Sequence, residues 1–363
     1  MSDERDARLE ALLAETGFAG ARRTPVSGDA STRAYERLTH AGRSAILMNA
    51  PPRAESAPCP PGASPEARAA LGYNALARLA ASRVEAFAAL AAHLRALGLS
   101  APEIYALDVD AGFCILEDMG DGLYWSLLGE GADPAPLYEA AIDALVQASA
   151  FPAPGALAYS GARWPLLSYD TTALHAEASL LTDWFAPKQL NRPLSDDALA
   201  EWRIAWDKVF ALLDPADMRL VLRDCHSPNL MWLPDRRGAA RAGVLDFQDA
   251  LAGHPAYDVA SLLEDARRDV APDFAEIYLR RYTERAGVDL ESFRAAFAIL
   301  AAQRNAKIIG VFARLKYRDG KPHYVADHQP RVIRYFRRNL EAPALAPVAD
   351  WFARWLPLAD WAA

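Results

Sequence analysis

The chain has 363 residues, which is enough for about two domains or lobes. Its hydrophobic fraction of 52% and charged fraction of 24% are ordinary for a globular protein and exclude a disordered or fibrous chain. The chain has 39 Lys and Arg residues and 47 Asp and Glu residues, so its net charge is −8. The chain therefore lacks the overall basic field that would hold nucleic acid or anionic lipid.

Cysteine usage and the start of the chain predict the compartment. The three cysteines Cys59, Cys114 and Cys225 are an odd and sparse set, which fits a reducing compartment better than a disulfide framework. The opening MSDERDARLE is charged and lacks the apolar core of a signal peptide. No run approaches ~18 uninterrupted apolar residues. We expect a cytoplasmic protein with no membrane or nucleic-acid partner, and no obligate protein partner is evident.

In the first 120 residues, apolar and polar side chains alternate in several short runs, a pattern typical of an antiparallel sheet. A short amphipathic helix over 3–16 precedes three strand-like runs joined by short polar turns, at 21–26, 33–40 and 43–48. A proline-rich stretch at 51–65 is incompatible with helix or central strand and predicts a loop. Helical patterns follow at 66–81 and 83–97, and strand patterns at 103–109 and 112–119.

Helical periodicity dominates the remainder of the chain. It covers 134–150, 170–185, 195–213, 255–268, 272–286, 290–316 and 328–340. One interruption at 218–250 is rich in strand-forming residues. The sequence therefore predicts an α+β protein with an antiparallel-sheet N-terminal lobe at 1–118 and a mainly helical C-terminal lobe at 119–363.

The interruption carries the residues best suited to chemistry. Asp224 and Asn229 have the spacing D-x-x-x-x-N, and the short strand-like run LMWL follows at 230–233. A polar turn then leads to VLDF at 244–247, which contains Asp246. A hairpin of this length would bring Asn229 and Asp246 to neighbouring strand ends. Phosphoryl transfer needs this set of groups: one carboxylate to orient and deprotonate the attacking hydroxyl, and an amide oxygen and a carboxylate to hold Mg²⁺.

These segments carry a family resemblance. LRDCHSPNLMWL followed by VLDFQDA resembles the catalytic and metal-binding segments of protein-kinase-like enzymes, and GHPAYDVASLL at 253–263 is similar to the aminoglycoside phosphotransferase branch, which includes choline and sugar kinases. Within this branch the chain most resembles bacterial kinases that phosphorylate the anomeric hydroxyl of N-acetylmuramate and N-acetylglucosamine in cell-wall recycling. The supporting stretches are ILMNAPP at 46–52, YDTTALHAEASLLTDWFAP at 169–187 and IIGVFARLKYRDGKPHY at 308–324.

The resemblance implies a two-lobed fold, ATP and Mg²⁺ as cofactors, and a role for each matching residue. Asp224 would be the catalytic base, Asn229 and Asp246 the Mg²⁺ ligands, and Asp258 a brace for the catalytic loop. The segment LEDMG at 116–120 would be the hinge, with backbone groups of Glu117 and Met119 bonded to adenine. A polar turn would cover the ATP phosphates; it consists of Ser27, Gly28, Asp29, Ala30, Ser31 and Thr32.

The chain departs from the family pattern on its third strand. Met48 stands about where relatives carry a phosphate-binding lysine, and no lysine occurs between residues 1 and 187. Glu85, on the predicted helix 83–97, therefore lacks its usual partner. Arg33 and Arg43 are nearby candidates for the missing cation. In addition, Leu222 occupies the position two before the base, where many relatives have histidine.

The acceptor is predicted from the subfamily resemblance, as the anomeric hydroxyl of N-acetylmuramate and N-acetylglucosamine, giving the α-1-phosphate. Five side chains of the helical part are candidates to contact this sugar: Asp170, Glu177, Trp184, Arg304 and Lys307. One alternative is a kinase for another small alcohol, of aminoglycoside, choline or homoserine type. The other is a nucleotide-binding pseudokinase, which Met48 motivates and the retained Asp224, Asn229 and Asp246 oppose.

Overall fold

A computed structural model of the chain describes residues 2–26, 33–52 and 55–361. Within these residues the strands are β1 Arg22–Val26, β2 Ala34–His40, β3 Arg43–Asn49, β4 Ile104–Asp108, β5 Phe113–Glu117, β6 Ala156–Tyr159, β7 Ala162–Pro165, β8 Arg219–Val221, β9 Leu230–Trp232, β10 Ala242–Val244 and β11 Leu251–Gly253. The helices are α1 Ser2–Glu15, α2 Pro65–Leu71, α3 Tyr73–Leu76, α4 Val84–Ala96, α5 Tyr124–Gly129, α6 Pro134–Ala148, α7 Thr171–Ala178, α8 Asp196–Phe210, α9 Ala256–Leu263, α10 Pro272–Ala286, α11 Leu290–Tyr317, α12 His323–Asp327, α13 Gln329–Asn339 and α14 Ala346–Trp355. A π-helical segment spans Leu181–Gln189.

The chain divides into two compact units. The first comprises Met1–Ala148, Pro154–Leu167 and Pro228–Ala250, and the second comprises Ser149–Ala153, Ser168–Ser227 and Leu251–Ala363. By packing, residues 119–148 thus belong with the N-terminal sheet. The functional boundary expected after residue 118 stays a prediction.

The first unit is built on an antiparallel five-stranded sheet in the order β1-β2-β3-β5-β4. One core cluster joins Leu9, Leu12 and Leu13 of α1 to Leu38 of β2 and Leu47 of β3. The antiparallel sheet predicted from alternation is confirmed. The helix expected over 66–81 was wrong in its length, because Gly72 adopts φ +98 and separates α2 from the single turn α3.

The second unit is helical around a central helix, α11. This helix contacts the π-helical segment, α13, α9 and α7. By length and composition α11 could cross a membrane, but 72% of its apolar window is buried inside the protein, as in the core helix of a globular unit. One predicted helix is interrupted, because the pattern over 170–185 passes from α7 into the π-helical segment, whereas the helix predicted over 328–340 is present as α13.

Close packing explains why α11 contains a glycine. A Cβ placed on Gly310 would lie 2.2 Å from the carbonyl carbon of Leu180 and 2.5 Å from the backbone nitrogen of Leu181. Those two residues lead into the π-helical segment, whose backbone therefore touches α11 directly. Only a residue without a side chain permits this approach.

Candidate active site

The catalytic segment follows β8 in the second unit. β8 pairs with β11, so Leu222, Arg223 and Asp224 emerge from a short antiparallel ladder. The carboxylate of Asp258, in the first turn of α9, accepts the backbone N–H of Leu222 at 2.6 Å and of Arg223 at 2.8 Å. A second carboxylate, that of Asp265, accepts the N–H of Ser227 at 2.9 Å. Asp258 is thus placed as the brace that the sequence predicted.

The Asp224 carboxyl is half-buried and surrounded by cations. Burial by itself raises the pKa of a carboxyl, but Lys307, His226, Arg223 and Arg304 outweigh it and hold the pKa of Asp224 below its usual value. Asp224 is therefore ionised at neutral pH and able to accept a proton. The pKa of Asp258 shifts in the opposite direction. Burial raises it to about 7, even though the carboxyl accepts two hydrogen bonds from the backbone.

A buried charge cluster lies beside Asp224. Glu177 of α7 is fully enclosed and forms an ion pair with the guanidinium of Arg223. Lys307 of α11 places its Nζ 3.3 Å from Glu177 Oε1 and donates to the Tyr257 hydroxyl at 3.1 Å. Tyr169 donates its hydroxyl proton to the other oxygen of Glu177. We call these five residues the Glu177 cluster.

The expected hairpin is present in the first unit. β9 pairs with β10 in the register Leu230↔Val244, and the N–H of Leu245 donates to the carbonyl of Asn229 at 2.9 Å. The strand ends at Val244 rather than continuing through the predicted 244–247, since Asp246 has φ +55. Asn229 and Asp246 accordingly lie at neighbouring strand ends, as the sequence predicted.

Several contacts fix the segment that carries Asp246. The Phe247 ring stacks on Phe87 of α4 at 4.7 Å between centroids. Gln248 donates its side-chain N–H to Asp246 Oδ1 at 2.9 Å, and Arg33 Nη2 lies 3.5 Å from the same oxygen. The Asp246 side chain nevertheless remains 43% exposed, so it is accessible to a ligand.

The structure separates the two candidates for the missing cation. Arg33 precedes β2, is largely buried and faces Asp246. Arg43 instead lies over the Phe18 ring, with its guanidinium carbon 5.0 Å from the centroid. Met48 is fully buried in the sheet core. Glu85 instead accepts a hydrogen bond from Arg83 Nε at 2.9 Å.

The residues predicted to bind nucleotide are placed in part. The backbone N–H of Glu117 donates to the carbonyl of Glu103 at 2.8 Å, so this group is engaged within the protein. Met119 lies after β5, where its side chain is packed against Gly243 of β10. The predicted phosphate-covering turn Ser27–Thr32 lies outside the described residues. Adenine binding by Glu117 and Met119 stays a prediction.

The five candidate acceptor residues do not share one surface. Asp170 caps α7 by accepting the N–H of Ala173 at 2.9 Å, and Trp184 is half-buried in the π-helical segment. Glu177 is enclosed in its cluster, and Arg304 is 3% exposed and donates to the carbonyl of Glu264 at 3.3 Å. The helical face assumed from the sequence therefore points partly into the protein. Lys307 keeps a 15% exposed side chain.

Sequence reasoning missed Arg223. It stands between Leu222 and Asp224, and its partner Glu177 is 46 positions earlier in the chain. A sequence pattern covers only neighbouring residues, so it does not reveal an ion pair between residues this far apart in the chain. The one available signal was an arginine directly after the apolar run Leu220, Val221 and Leu222.

The comparisons decide the family. Residues 22–296 match the family model described as the phosphotransferase enzyme family (APH). The chain belongs to this family. The expected fold, a protein-kinase-like α+β architecture, and the expected enzyme class, a phosphotransferase, are both confirmed.

Two relatives and one solved structure define the likeness. A Caulobacter vibrioides protein named N-acetylmuramate/N-acetylglucosamine kinase is 48% identical over 359 residues, spanning 99% of this chain and 98% of that protein. A Pseudomonas aeruginosa protein of the same name is 32% identical over 337 residues, spanning 91% and 87%. The crystal structure of a putative aminoglycoside phosphotransferase from Ralstonia eutropha shares the fold, with a TM-score of 0.55, 16% identity, and coverage of 93% and 98%.

Proposed function

We propose that the chain is an ATP-dependent amino-sugar kinase that phosphorylates the anomeric hydroxyl of N-acetylmuramate and N-acetylglucosamine. The observation that carries this proposal is the 48% identity, over nearly the whole of both chains, to a protein named N-acetylmuramate/N-acetylglucosamine kinase. The residue types support it independently, since Asp224 would supply the base and Asn229 and Asp246 the metal ligands that phosphoryl transfer requires.

The donor set near the β9–β10 hairpin suits Mg²⁺. Asn229 and Asp246 offer an amide and a carboxylate oxygen, the hard ligands that Mg²⁺ prefers. In residues 2–26, 33–52 and 55–361, no three His, Cys, Asp or Glu side chains gather as a metal cage. This agrees with an ion whose remaining ligands are phosphate oxygens and water. When bound, Mg²⁺ would neutralise charge that develops on the transferring phosphoryl group.

Arg33 is the cation we assign to the triphosphate in place of the absent lysine. Its guanidinium lies beside Asp246, with the further carboxylates of Asp249 and Glu55 in its surroundings. A guanidinium matches phosphate geometry and keeps its charge at every physiological pH. Its position next to a proposed metal ligand would place it near the phosphates of a nucleotide whose Mg²⁺ is held by Asp246.

Asp224 performs the proton step in this proposal. Its ionised carboxylate accepts a hydrogen bond from the anomeric hydroxyl and takes the proton as that oxygen attacks the γ-phosphorus. The new bond joins the sugar oxygen to phosphorus, while the bond from phosphorus to the bridging oxygen of ADP breaks. Asp170, Trp184 and Lys307 remain the candidates for sugar contacts, Lys307 toward the lactyl carboxylate of N-acetylmuramate.

A substrate panel tests the proposal. The purified protein is supplied with ATP and, separately, N-acetylmuramate, N-acetylglucosamine, kanamycin, choline and homoserine, and ADP release is measured. We expect turnover with the two amino sugars. The product should lack a free reducing end and lose its phosphate in mild acid, as an anomeric phosphate does.

Two results would contradict the assignment. A product that retains its reducing end would be phosphorylated at another hydroxyl. Turnover only with kanamycin, choline or homoserine would reassign the acceptor while leaving the kinase activity in place. Asp224→Ala is the matched control, since turnover by this chain should fall ~10²–10⁴-fold in it, whereas ADP release by a contaminant would not fall.

A further inference from the structure

The backbone at Arg223 is in a conformation that side chains disfavour. Its φ is +73, directly before the proposed base Asp224. A residue with a Cβ holds such a conformation only where its surroundings over-determine it, and such residues concentrate at functional sites. Glycine would adopt this φ without strain. An arginine here therefore indicates that its side chain does something glycine could not.

The Arg223 side chain is fixed in the protein interior. It is 1% exposed, it forms the ion pair with Glu177, and its guanidinium carbon lies 5.0 Å from the centroid of the Tyr169 ring. Glu177 is in turn held by the Tyr169 hydroxyl and by Gln303 Nε2 at 3.4 Å. The segment before the base is thus tied to α7 by its side chain and to α9 by its backbone bonds to Asp258.

Lys307 is a second cation paired with Glu177, and its charge also lowers the pKa of Asp224. It lies 3.3 Å from Glu177 and is the first of the cations that act on Asp224. Together Arg223 and Lys307 formally balance the two carboxylates Glu177 and Asp224. Burying two cations beside the base would be costly without Glu177, because an uncompensated buried charge is strongly unfavourable.

We propose that Arg223, anchored by its buried ion pair with Glu177, is a positioning residue that fixes the direction of the Asp224 carboxylate. This rests on the proposed kinase function. Asp224 is also faced by other titratable or charged groups, which the test must leave in place: His226, Arg304, Asp258, Asp265 and Cys225.

The experiment is a double-mutant cycle with Arg223→Gly and Glu177→Gln. Glycine preserves the φ of +73, so the change removes the side chain without straining the backbone. We expect kcat to fall about 10- to 100-fold in Arg223→Gly, the size of effect that misdirecting a reacting group produces, with the nucleotide Kd unchanged. Glu177→Gln should lower kcat in the wild-type background and lower it less in Arg223→Gly, since one of its two ion pairs, that with Arg223, is already absent there while that with Lys307 remains.

A matched control separates positioning from general stability. Arg338 forms an ion pair with the buried Glu264 at 2.9 Å in the same unit. Arg338→Met should lower the Tm and leave kcat unchanged.

The outcomes distinguish this inference from the proposed function. Wild-type kcat in folded Arg223→Gly, or additive effects in the cycle, would overturn the positioning role. If the wild-type protein failed to phosphorylate amino sugars, the same variants are measured by acceptor-independent ATP hydrolysis. There water replaces the hydroxyl at Asp224, and a loss in Arg223→Gly would support the inference.

Discussion

Replacement of Asp258 by asparagine should change how stability depends on pH. The Asp258 carboxyl is enclosed at 3% exposure, and its pKa is raised from 3.8 to about 7, with burial as the main cause. The folded protein therefore binds a proton that the unfolded chain has already released between pH 4 and pH 7. Stability from this group is fully present below the unfolded pKa and is lost as pH rises through the folded pKa.

The magnitude follows from the shift. About three pKa units at ~1.36 kcal/mol each give a loss of about 4 kcal/mol between pH 4 and pH 7. The asparagine side chain carries no titrating proton, so Asp258→Asn should lack this decline. The variant should also carry a pH-independent cost of about 1–3 kcal/mol, because one of the N–H groups of Leu222 and Arg223 loses its acceptor.

The assay is urea unfolding of both proteins at several pH values from 4 to 8, followed by tryptophan fluorescence. The free energy of unfolding of Asp258→Asn, minus that of the wild type, should rise with pH by about 4 kcal/mol. Asp350→Asn removes an exposed carboxylate and controls for the change in net charge. Parallel curves for wild type and Asp258→Asn would refute the reasoning, since they would mean that Asp258 stays ionised in the fold.

Three further predictions concern turnover, nucleotide binding and packing. Asp224→Asn should reduce kcat ~10²–10⁴-fold with nearly unchanged ATP binding by calorimetry, and near-normal turnover would remove Asp224 as the base. Arg33→Ala should raise the KM for ATP at least several-fold, because Arg33 lies beside Asp246. Arg43→Ala should leave the KM for ATP unchanged, because the Arg43 guanidinium stacks on an aromatic ring. Equal effects of the two substitutions would contradict the assignment of Arg33 as the phosphate-binding cation. Gly310→Ala should lower stability by about 1–3 kcal/mol or more, because its Cβ would meet the Leu180 backbone at 2.2 Å, and an unchanged Tm would contradict the close approach.

The sequence revealed those features that depend on local spacing. Asp224, Asn229 and Asp246 are polar residues at fixed distances around two short apolar runs, so hairpin geometry alone placed the last two at neighbouring strand ends. The antiparallel sheet was visible because a two-residue period with short turns leaves few alternatives.

Features that depend on long-range packing could not be read in this way. Periodicity assigns Glu177 to a helix face but does not say whether that face meets a sugar or the interior. Only the fold brings Arg223 and Lys307 to it. The π-helical segment was also missed, although Pro187 within it is a local signal of an irregular helix.

The leucine at position 222 can be understood from the same contacts. A polar residue two positions before the base can support the catalytic segment through its side chain, but Leu222 is 2% exposed and has no polar group to offer. Here Asp258 satisfies the backbone of residues 222 and 223, and the Arg223 side chain reaches Glu177. The catalytic segment is thus held by contacts of Arg223 rather than by a polar side chain at position 222. Leu222 can therefore pack in the apolar core. Arg223 makes this pairing with a positive φ, a conformation that costs a residue with a Cβ on the order of 1–3 kcal/mol.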